Sequence, residues 1–261
     1  PMPRLVPTLC AAVLGLYAVD GHGQGTISNA NATFALTTTP FDATPTANFT
    51  GVSTVGATAD QLFEFGWWFR LPGDSAEAFF PAPTTQSYAG NTATINWTNV
   101  GGRNFAAELV LQVSGGGGII GTVNADMTIT NNTGSALVFN LFVMADADLQ
   151  PTVNNDSASS TDANGIRITH VSNTDFFDFR GIGASNYLVR PFGATDVGAV
   201  LANAVVDNFD SSGLPFGPGD FTGGFQWRDV TIAAGASQTF RAVLTANTDA
   251  VPVGLQSFQV D

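Results

Sequence analysis

Alternating apolar and polar residues dominate the chain from Thr26 onward. In the segments 105–113, FAAELVLQV, and 122–131, TVNADMTITN, an apolar residue stands at almost every second position. A period of two predicts half-buried β-strands. The segment 135–146, SALVFNLFVMAD, is apolar on both faces, which predicts a central strand covered on both sides. Turn-forming segments rich in Gly, Asn and Ser separate roughly a dozen such strands, so the pattern predicts an all-β, antiparallel sandwich or jelly roll.

One segment departs from this pattern. In 195–209, TDVGAVLANAVVDNF, the apolar residues recur at spacings of three and four, and Thr195 or Asp196 can cap the first turn. This predicts one short helix near 195–207, laid over an end or edge of a sheet. Neither an internal repeat nor a low-complexity linker interrupts the chain, so we expect a single β-sandwich domain over 26–261.

The richest aromatic stretch is 61–74, QLFEFGWWFRLPGD. As a strand, its residues 61–70 would direct four aromatic rings toward the core, those of Phe63, Phe65, Trp67 and Phe69. The opposite face would carry Leu62, Glu64, Gly66, Trp68 and Arg70. A tryptophan beside a glycine on a polar face can stack on a sugar ring, which makes Trp68, Glu64 and Arg70 candidate ligand-binding residues. The alternative is structural, with Trp68 packed under a loop or under the predicted helix.

The N-terminus has the pattern of an export signal. Arg4 precedes an apolar run over about residues 5–19, and small residues follow it, which predicts a signal peptide over 1–25 and a secreted or cell-surface protein. The run is too short for a membrane span, and we expect none in the mature chain. Cys10 is the only cysteine and lies in this segment, so the mature chain is expected to form no disulfide.

The charge balance narrows the possible partners. The net charge is −13, with eight Arg and no Lys. Such a surface repels phosphate backbones, so nucleic-acid binding is not expected, and anionic membranes are disfavoured for the same reason. Charged residues make up only 11% of the chain. Lightly charged sheet edges can pair with one another, which leaves self-association open.

Catalytic motifs are sparse. The chain beyond residue 25 has one histidine, His170, and neither a G-x-S-x-G nucleophile turn nor a zinc-binding histidine or cysteine pattern. Glycoside hydrolysis needs two carboxylates. Glu64 paired with an Asp or with His170 therefore keeps a carbohydrate-active hydrolase or lyase as an alternative, although the absent motifs favour a non-enzymatic protein.

The acidic stretch 145–165, ADADLQPTVNNDSASSTDANG, is the best candidate ion site. Its carboxylate and amide oxygens are ligands of the kind that Ca²⁺ prefers, and they come from Asp146, Asp148, Asn154, Asn155, Asp156 and Asp162. Gln150 and Pro151 break the EF-hand pattern, so the stretch is not that loop. The alternative is a solvated loop in which Asp and Asn only form turns.

Several phrases of the chain resemble a group of exported bacterial proteins that often carry a PEP-CTERM sorting tail. They include DQLFEFGWWFR, GNTATINWTNV, MADADLQPTVNNDSA and LPFGPGDFTGGFQWRDVTIAAGAS. The resemblance implies export to the cell surface or an exopolysaccharide matrix. The group's Pro-Glu-Pro motif, membrane helix and basic tail are absent from this sequence, which ends AVPVGLQSFQVD, so the sequence does not support anchoring by that route.

Together these observations predict a secreted, non-enzymatic β-sandwich with a surface or extracellular-matrix role. Calcium and glycans are its candidate ligands, and polysaccharide or matrix components its candidate partners. The hydrolase or lyase and a self-assembling structural subunit remain the alternatives.

Overall fold

The computed structural model describes residues 24–36, 45–53, 56, 58–116 and 120–248. The predicted signal peptide lies outside these ranges except for its last two residues. In chain order the first nine strands are β1 (Gly25–Asn29), β2 (Ala32–Leu36), β3 (Ala47–Thr50), β4 (Glu64–Arg70), β5 (Ala78–Phe79), β6 (Thr85–Ala89), β7 (Thr92–Trp97), β8 (Phe105–Gly115) and β9 (Ile120–Asn131). The others are β10 (Leu137–Ala147), β11 (Asp156–Asp162), β12 (Gly165–His170), β13 (Asp175–Ile182), β14 (Asn186–Pro191), β15 (Phe216–Gly219), β16 (Phe221–Ile232) and β17 (Ser237–Thr248). One α-helix, α1 (Val197–Leu201), and a 3₁₀ turn at Val100–Gly102 complete the described elements.

The strands form three sheets. The largest has nine strands in the order β15-β11-β12-β13-β17-β9-β8-β7-β6, the second has five in the order β14-β16-β10-β4-β5, and the smallest is β1-β2-β3. Every pairing between these strands is antiparallel. The predicted all-β, antiparallel sandwich is therefore confirmed.

Aromatic rings join the five-stranded sheet to the nine-stranded sheet. Phe69 of β4 packs edge-on against Phe105 of β8, with ring centroids 5.3 Å apart. At the other end of the interface, Phe225 of β16 packs against Phe179 of β13 at 4.9 Å. Such edge-to-face pairs stabilise a core beyond the apolar area that they bury. The phenylalanine-rich composition therefore accounts for much of the packing between these two layers.

The buried positions follow the hydrophobic pattern. In β8 and β9 every second residue is buried, as the alternation predicts. β10 is buried over almost its whole length, because one face lies on the nine-stranded sheet and the other is covered by α1 and the segment 202–210. Beneath that cover lies a second, small core made of Trp68, Phe142, Met144, Leu188, Val197, Leu201 and Phe209.

The predicted helix is present but shorter than expected. It begins after Asp196 and ends at Leu201 instead of extending to 207. Just beyond that end, the Asn203 side chain accepts a hydrogen bond from the Val205 backbone N–H at 2.7 Å. Such a side-chain turn competes with helical hydrogen bonding. Among the described residues, no helix is long and apolar enough to cross a bilayer.

Strand β4 is buried on both faces, which differs from the expected mixed face. Phe65, Trp67 and Phe69 lie in the main core as predicted. The prediction is wrong for Phe63, which precedes the strand and is 43% exposed. The space at Gly66 is filled, since a Cβ there would collide with the ring of Pro45.

Replacing Asp196, the residue that caps α1, tests how much the cap stabilises this helix. The Asp196 carboxylate accepts a hydrogen bond from the Ala199 N–H at 2.6 Å and another from the Gly193 N–H at 3.1 Å. We expect Asp196→Ala to lower the free energy of unfolding by about 1 kcal/mol, whereas Asp196→Asn keeps an acceptor and loses less. Urea denaturation of the two variants measures the difference, and equal stabilities would contradict a capping role.

Candidate metal centre

Carboxylates from several strands meet at one end of the five-stranded sheet. Asp146 stands near the end of β10, opposite Glu64 of β4 and Thr222 of β16. Asp148 follows two residues later, and Asp220 comes directly before β16. One carboxylate oxygen from each of Asp146, Asp148 and Asp220 lies within 4.8 Å of the other two. The antiparallel register of β10 with its two neighbours therefore builds the cluster.

Asp146 is the least exposed member of this cluster. Its side chain is 1% exposed, and its Oδ1 has no hydrogen-bond partner in the protein. Burial, followed by the negative charges of Asp148, Asp220, Glu64 and Asp196, raises the pKa of Asp146 to about 10. A buried carboxylate without a donor or a counter-charge is costly. At neutral pH this group therefore holds a proton unless a cation replaces it.

The pKa values of the neighbouring carboxyl groups are raised for the same reasons. Burial, followed by the charges of Asp220, Asp60 and Glu64, raises the pKa of Asp148 to about 7. The pKa of Asp220 is also raised, first by burial and then by Asp196. Among the described residues, every charge that shifts the pKa of these two groups and of Asp146 is itself negative. This part of the chain thus concentrates negative charge here, and no arginine is among the charges that act on the three carboxyl groups.

Asp156 adjoins this cluster. At the start of β11 it pairs with Gly219, the residue before Asp220. Its side chain is fully buried, and its Oδ1 also has no hydrogen-bond partner in the protein. Burial raises the pKa of Asp156 to about 8, aided by the charges of Asp148 and Asp220 and opposed by a hydrogen bond from the Leu149 N–H. Asp156 therefore adds another buried acid beside the three close carboxylates.

The cluster lines an open pocket of about 190 Å³. Asp146, Asp148 and Asp220 supply its polar wall, and Phe63, Val153 and Phe192 supply its apolar wall. The two phenylalanine rings pack edge to face with centroids 6.0 Å apart. They remain exposed to solvent, Phe63 at 43% and Phe192 at 45%.

The donor set suits a hard divalent cation. The three close residues offer only carboxylate oxygens, and such oxygens bind Ca²⁺ or Mg²⁺, whereas Zn²⁺ sites favour histidine and cysteine. A cation at this position would replace the proton on Asp146 and neutralise the mutual repulsion. Asp146, Asp148 and Asp220 could thus hold a metal ion.

His170 positions the loop that carries one wall of the pocket. Its Nε2 lies 3.1 Å from both the hydroxyl and the carbonyl oxygen of Thr152. Its Nδ1 accepts a hydrogen bond from the Ser172 N–H at 3.1 Å. The imidazole is buried and does not line the pocket. These contacts give His170 a role in holding the loop in place.

The structure brings together part of the predicted ion-binding set. Asp146 and Asp148 belong to the cluster, and Asp156 lies beside it. Asn154 and Asn155 are exposed and do not line the pocket. Asp162 lies away from it, at the turn between β11 and β12, where its 48% exposed carboxylate pairs with Arg180 at 2.6 Å. Asp220 is absent from the predicted set, since only the pairing of β10 with β16 places it next to Asp146.

The candidate sugar-binding residues lie in different surroundings. Trp68 is 1% exposed, and its ring packs in the small core under α1, as the structural alternative proposed. Glu64 is buried and adds negative charge near Asp146. Arg70 forms a buried ion pair with Glu77. The three side chains therefore do not share an open surface, and the exposed aromatic residues at the acidic pocket are Phe63 and Phe192.

Comparisons with known proteins bear on the fold alone. No family model matches the sequence, and no curated protein matches it. Among solved structures, a bacterial glucoamylase in complex with acarbose is 11% identical with a TM-score of 0.57, covering 87% of this chain and 32% of that chain. A GalM/aldose epimerase homologue from C. elegans is 9% identical with a TM-score of 0.50, covering 87% of this chain and all of its own. The chain thus spans about a third of the glucoamylase's length.

Proposed function

We propose that the protein is an exported, calcium-binding β-sandwich with a non-catalytic role at the cell surface or in the extracellular matrix. The observation that carries the calcium site is the buried Asp146 carboxyl, whose Oδ1 has no partner and whose charged neighbours are all acidic. A divalent cation would satisfy this oxygen and offset the repulsion at once. The carboxyl groups of Asp148 and Asp220 would complete the protein's share of the ligands.

The proposed export favours calcium over magnesium. The apolar N-terminal segment and the resemblance to exported bacterial proteins support secretion, and extracellular calcium modules work with dissociation constants of about 10⁻⁴–10⁻³ M. Mg²⁺ demands near-ideal octahedral geometry and keeps several waters, whereas Ca²⁺ tolerates irregular arrangements of oxygens. An open pocket with carboxylates from separate segments of the chain suits the more tolerant ion.

An association with carbohydrate is part of the same proposal. The names of the two similar structures, a glucoamylase holding acarbose and an aldose epimerase homologue, favour it. Polysaccharide or matrix components are accordingly the partners that we propose.

The carboxylate spacing favours cation binding over hydrolysis. One carboxylate oxygen from each of Asp146, Asp148 and Asp220 lies within 4.8 Å of the other two. An inverting glycosidase separates its two carboxyl groups by roughly 6.5–9.5 Å to admit a water molecule. A retaining enzyme needs two carboxyl groups, about 5–5.5 Å apart. Three crowded carboxylates are better explained as ligands of one ion.

Isothermal titration of the chelator-treated protein with CaCl₂ tests the site. We expect the wild-type protein to bind calcium and the double variant Asp148→Asn/Asp220→Asn to bind about 100-fold more weakly or not at all, since even residues that only support metal ligands contribute about 10–100-fold. Asp162→Asn is the matched control, because it removes one carboxylate outside the pocket and should leave the affinity unchanged.

Stability separates lost binding from lost folding. The double variant removes repulsion between neighbouring carboxylates, so without calcium it should melt at or above the wild-type temperature. A wild-type protein that binds no calcium, or a double variant that binds it with wild-type affinity, would contradict the proposed site.

A further inference from the structure

Two exposed phenylalanines flank the acidic pocket, and their backbones are hydrogen-bonded to two of the candidate metal-binding residues. The Phe63 N–H donates to the Asp146 carbonyl oxygen at 2.9 Å, and the Phe192 N–H donates to the Asp220 carbonyl oxygen at 2.9 Å. Each aromatic residue is therefore fixed through the backbone to a residue that supplies a candidate metal ligand. Their rings meet edge to face and keep nearly half of their surfaces in solvent. Exposed aromatic pairs in a fixed position beside a polar pocket are typical of ligand contacts.

A cation in this pocket would retain free coordination positions. Ca²⁺ takes six to eight oxygen ligands. Asp146 is buried, Asp148 and Asp220 are half-buried, and the remaining side of the pocket is open to solvent beside the two rings. Oxygens from outside the protein can therefore reach the ion from the same side as the aromatic pair.

The surrounding charge selects neutral ligand oxygens. Three carboxylates already exceed the charge of one divalent ion, and Glu64 and Asp196 add further negative charge near Asp146. An anionic ligand would meet net repulsion, whereas hydroxyl groups would coordinate the ion without it. A pocket of about 190 Å³ is also smaller than the roughly 300–1,000 Å³ that holds a drug-sized ligand. One ring with two adjacent hydroxyl groups on one side and an apolar C–H face on the other meets all of these requirements.

We propose that the protein binds neutral saccharides in a calcium-dependent manner. Two adjacent hydroxyl groups of one sugar ring coordinate the ion held by Asp146, Asp148 and Asp220, and the apolar face of the ring packs against Phe63 and Phe192. This inference rests on the proposed calcium site and specifies its ligand. It also moves the sugar contact from the buried Trp68 to the pocket mouth.

The test is an array of neutral and acidic oligosaccharides probed with the full 261-residue chain, in CaCl₂ and again in EDTA. We expect signals on neutral oligosaccharides in calcium and their loss in EDTA. For the strongest neutral oligosaccharide, Phe63→Ala/Phe192→Ala should weaken the affinity about tenfold, since the variant loses both rings that pack against the sugar. Phe79→Ala, at a similarly exposed phenylalanine that does not line the pocket, is the matched control and should bind normally.

The outcomes separate this inference from the calcium site. Titration of the phenylalanine double variant with CaCl₂ should give the wild-type affinity. If the wild-type protein binds calcium but no neutral oligosaccharide, the saccharide inference is wrong and the calcium site stands. Saccharide binding that persists in EDTA, that the phenylalanine substitutions leave unchanged, or that is confined to acidic oligosaccharides would also overturn it. Failure to bind calcium would remove both proposals together.

Discussion

Without calcium, the protein is expected to lose thermal stability as the pH rises from about 4 to 8. In the folded protein the pKa values of Asp148, Asp156 and Asp146 are raised to about 7, 8 and 10, whereas an unfolded Asp titrates near 4. Between these values the folded state binds more protons than the unfolded state, so raising the pH favours unfolding. Below about pH 4 both states are protonated and these groups contribute no pH dependence. Each contributes at most about 1.4 kcal/mol per pH unit within its window.

Calcium is expected to reverse this loss. Because the ion takes the place of protons, its affinity should rise as the pH rises through the same window. At a calcium concentration of about 100 times the dissociation constant, binding stabilises the folded state by about 2.7 kcal/mol. For a domain of this size, that raises the melting temperature by roughly 5–10 °C. Differential scanning calorimetry at pH 5 and pH 8, in EDTA and in CaCl₂, measures both effects.

The double variant Asp148→Asn/Asp220→Asn is the control for these measurements. It should show a shallower pH dependence in EDTA and no response to CaCl₂. Other carboxylates have the opposite effect. The pKa of Asp162, which lies beside Arg180, is lowered in the folded protein, so this group favours folding as the pH rises. The comparison between the wild-type protein and the variant isolates the contribution of the pocket. The expected titration would be contradicted if, in EDTA, the wild-type protein and the variant gained the same stability between pH 5 and pH 8.

Breaking the buried ion pair between Arg70 and Glu77 is expected to have the largest effect of a single substitution. Besides Glu77, the Arg70 guanidinium donates to the Asp207 carbonyl oxygen and to Asn208 Oδ1, the latter at 2.7 Å. Glu77 in turn accepts a hydrogen bond from the Asp207 N–H at 3.1 Å. The pair thus fastens the segment 202–210 over the small core that contains Trp68. Removing Glu77 leaves Arg70 buried without its counter-charge.

We expect Glu77→Ala to lower the free energy of unfolding by about 3–5 kcal/mol, which corresponds to a fall of roughly 10 °C in melting temperature. Guanidinium chloride denaturation, with calcium present throughout, measures the loss. Arg241→Ala removes one partner of the more exposed pair with Asp126 on the nine-stranded sheet and should cost less than about 1 kcal/mol. The double variant Arg70→Met/Glu77→Leu should recover part of the loss, since it leaves no unpaired charge. Equal effects of Glu77→Ala and Arg241→Ala would contradict the structural role of the buried pair.

Local patterns were sufficient for many of the strands and for two of the three close carboxylates. The alternation in 105–113 and 122–131 predicts β8 and β9, and the continuous apolar run in 135–146 predicts a strand covered on both sides, because side chains on a strand point alternately to its two faces. The same run ends in Asp146, with Asp148 two residues further, so these two acids could be singled out from the sequence.

Only the tertiary structure decided which segments meet. A period of two assigns a residue to a face of its strand but does not say which strands are neighbours. The pairing of β10 with β16 and β4 places Asp220 and Glu64 beside Asp146, and the cover formed by α1 and 202–210 buries Trp68. The tertiary structure also leaves Phe63 in solvent next to Phe192, a residue distant in the sequence. The acidic pocket and its aromatic mouth arise from long-range strand pairing, and local hydrophobic periodicity carries no information about such contacts.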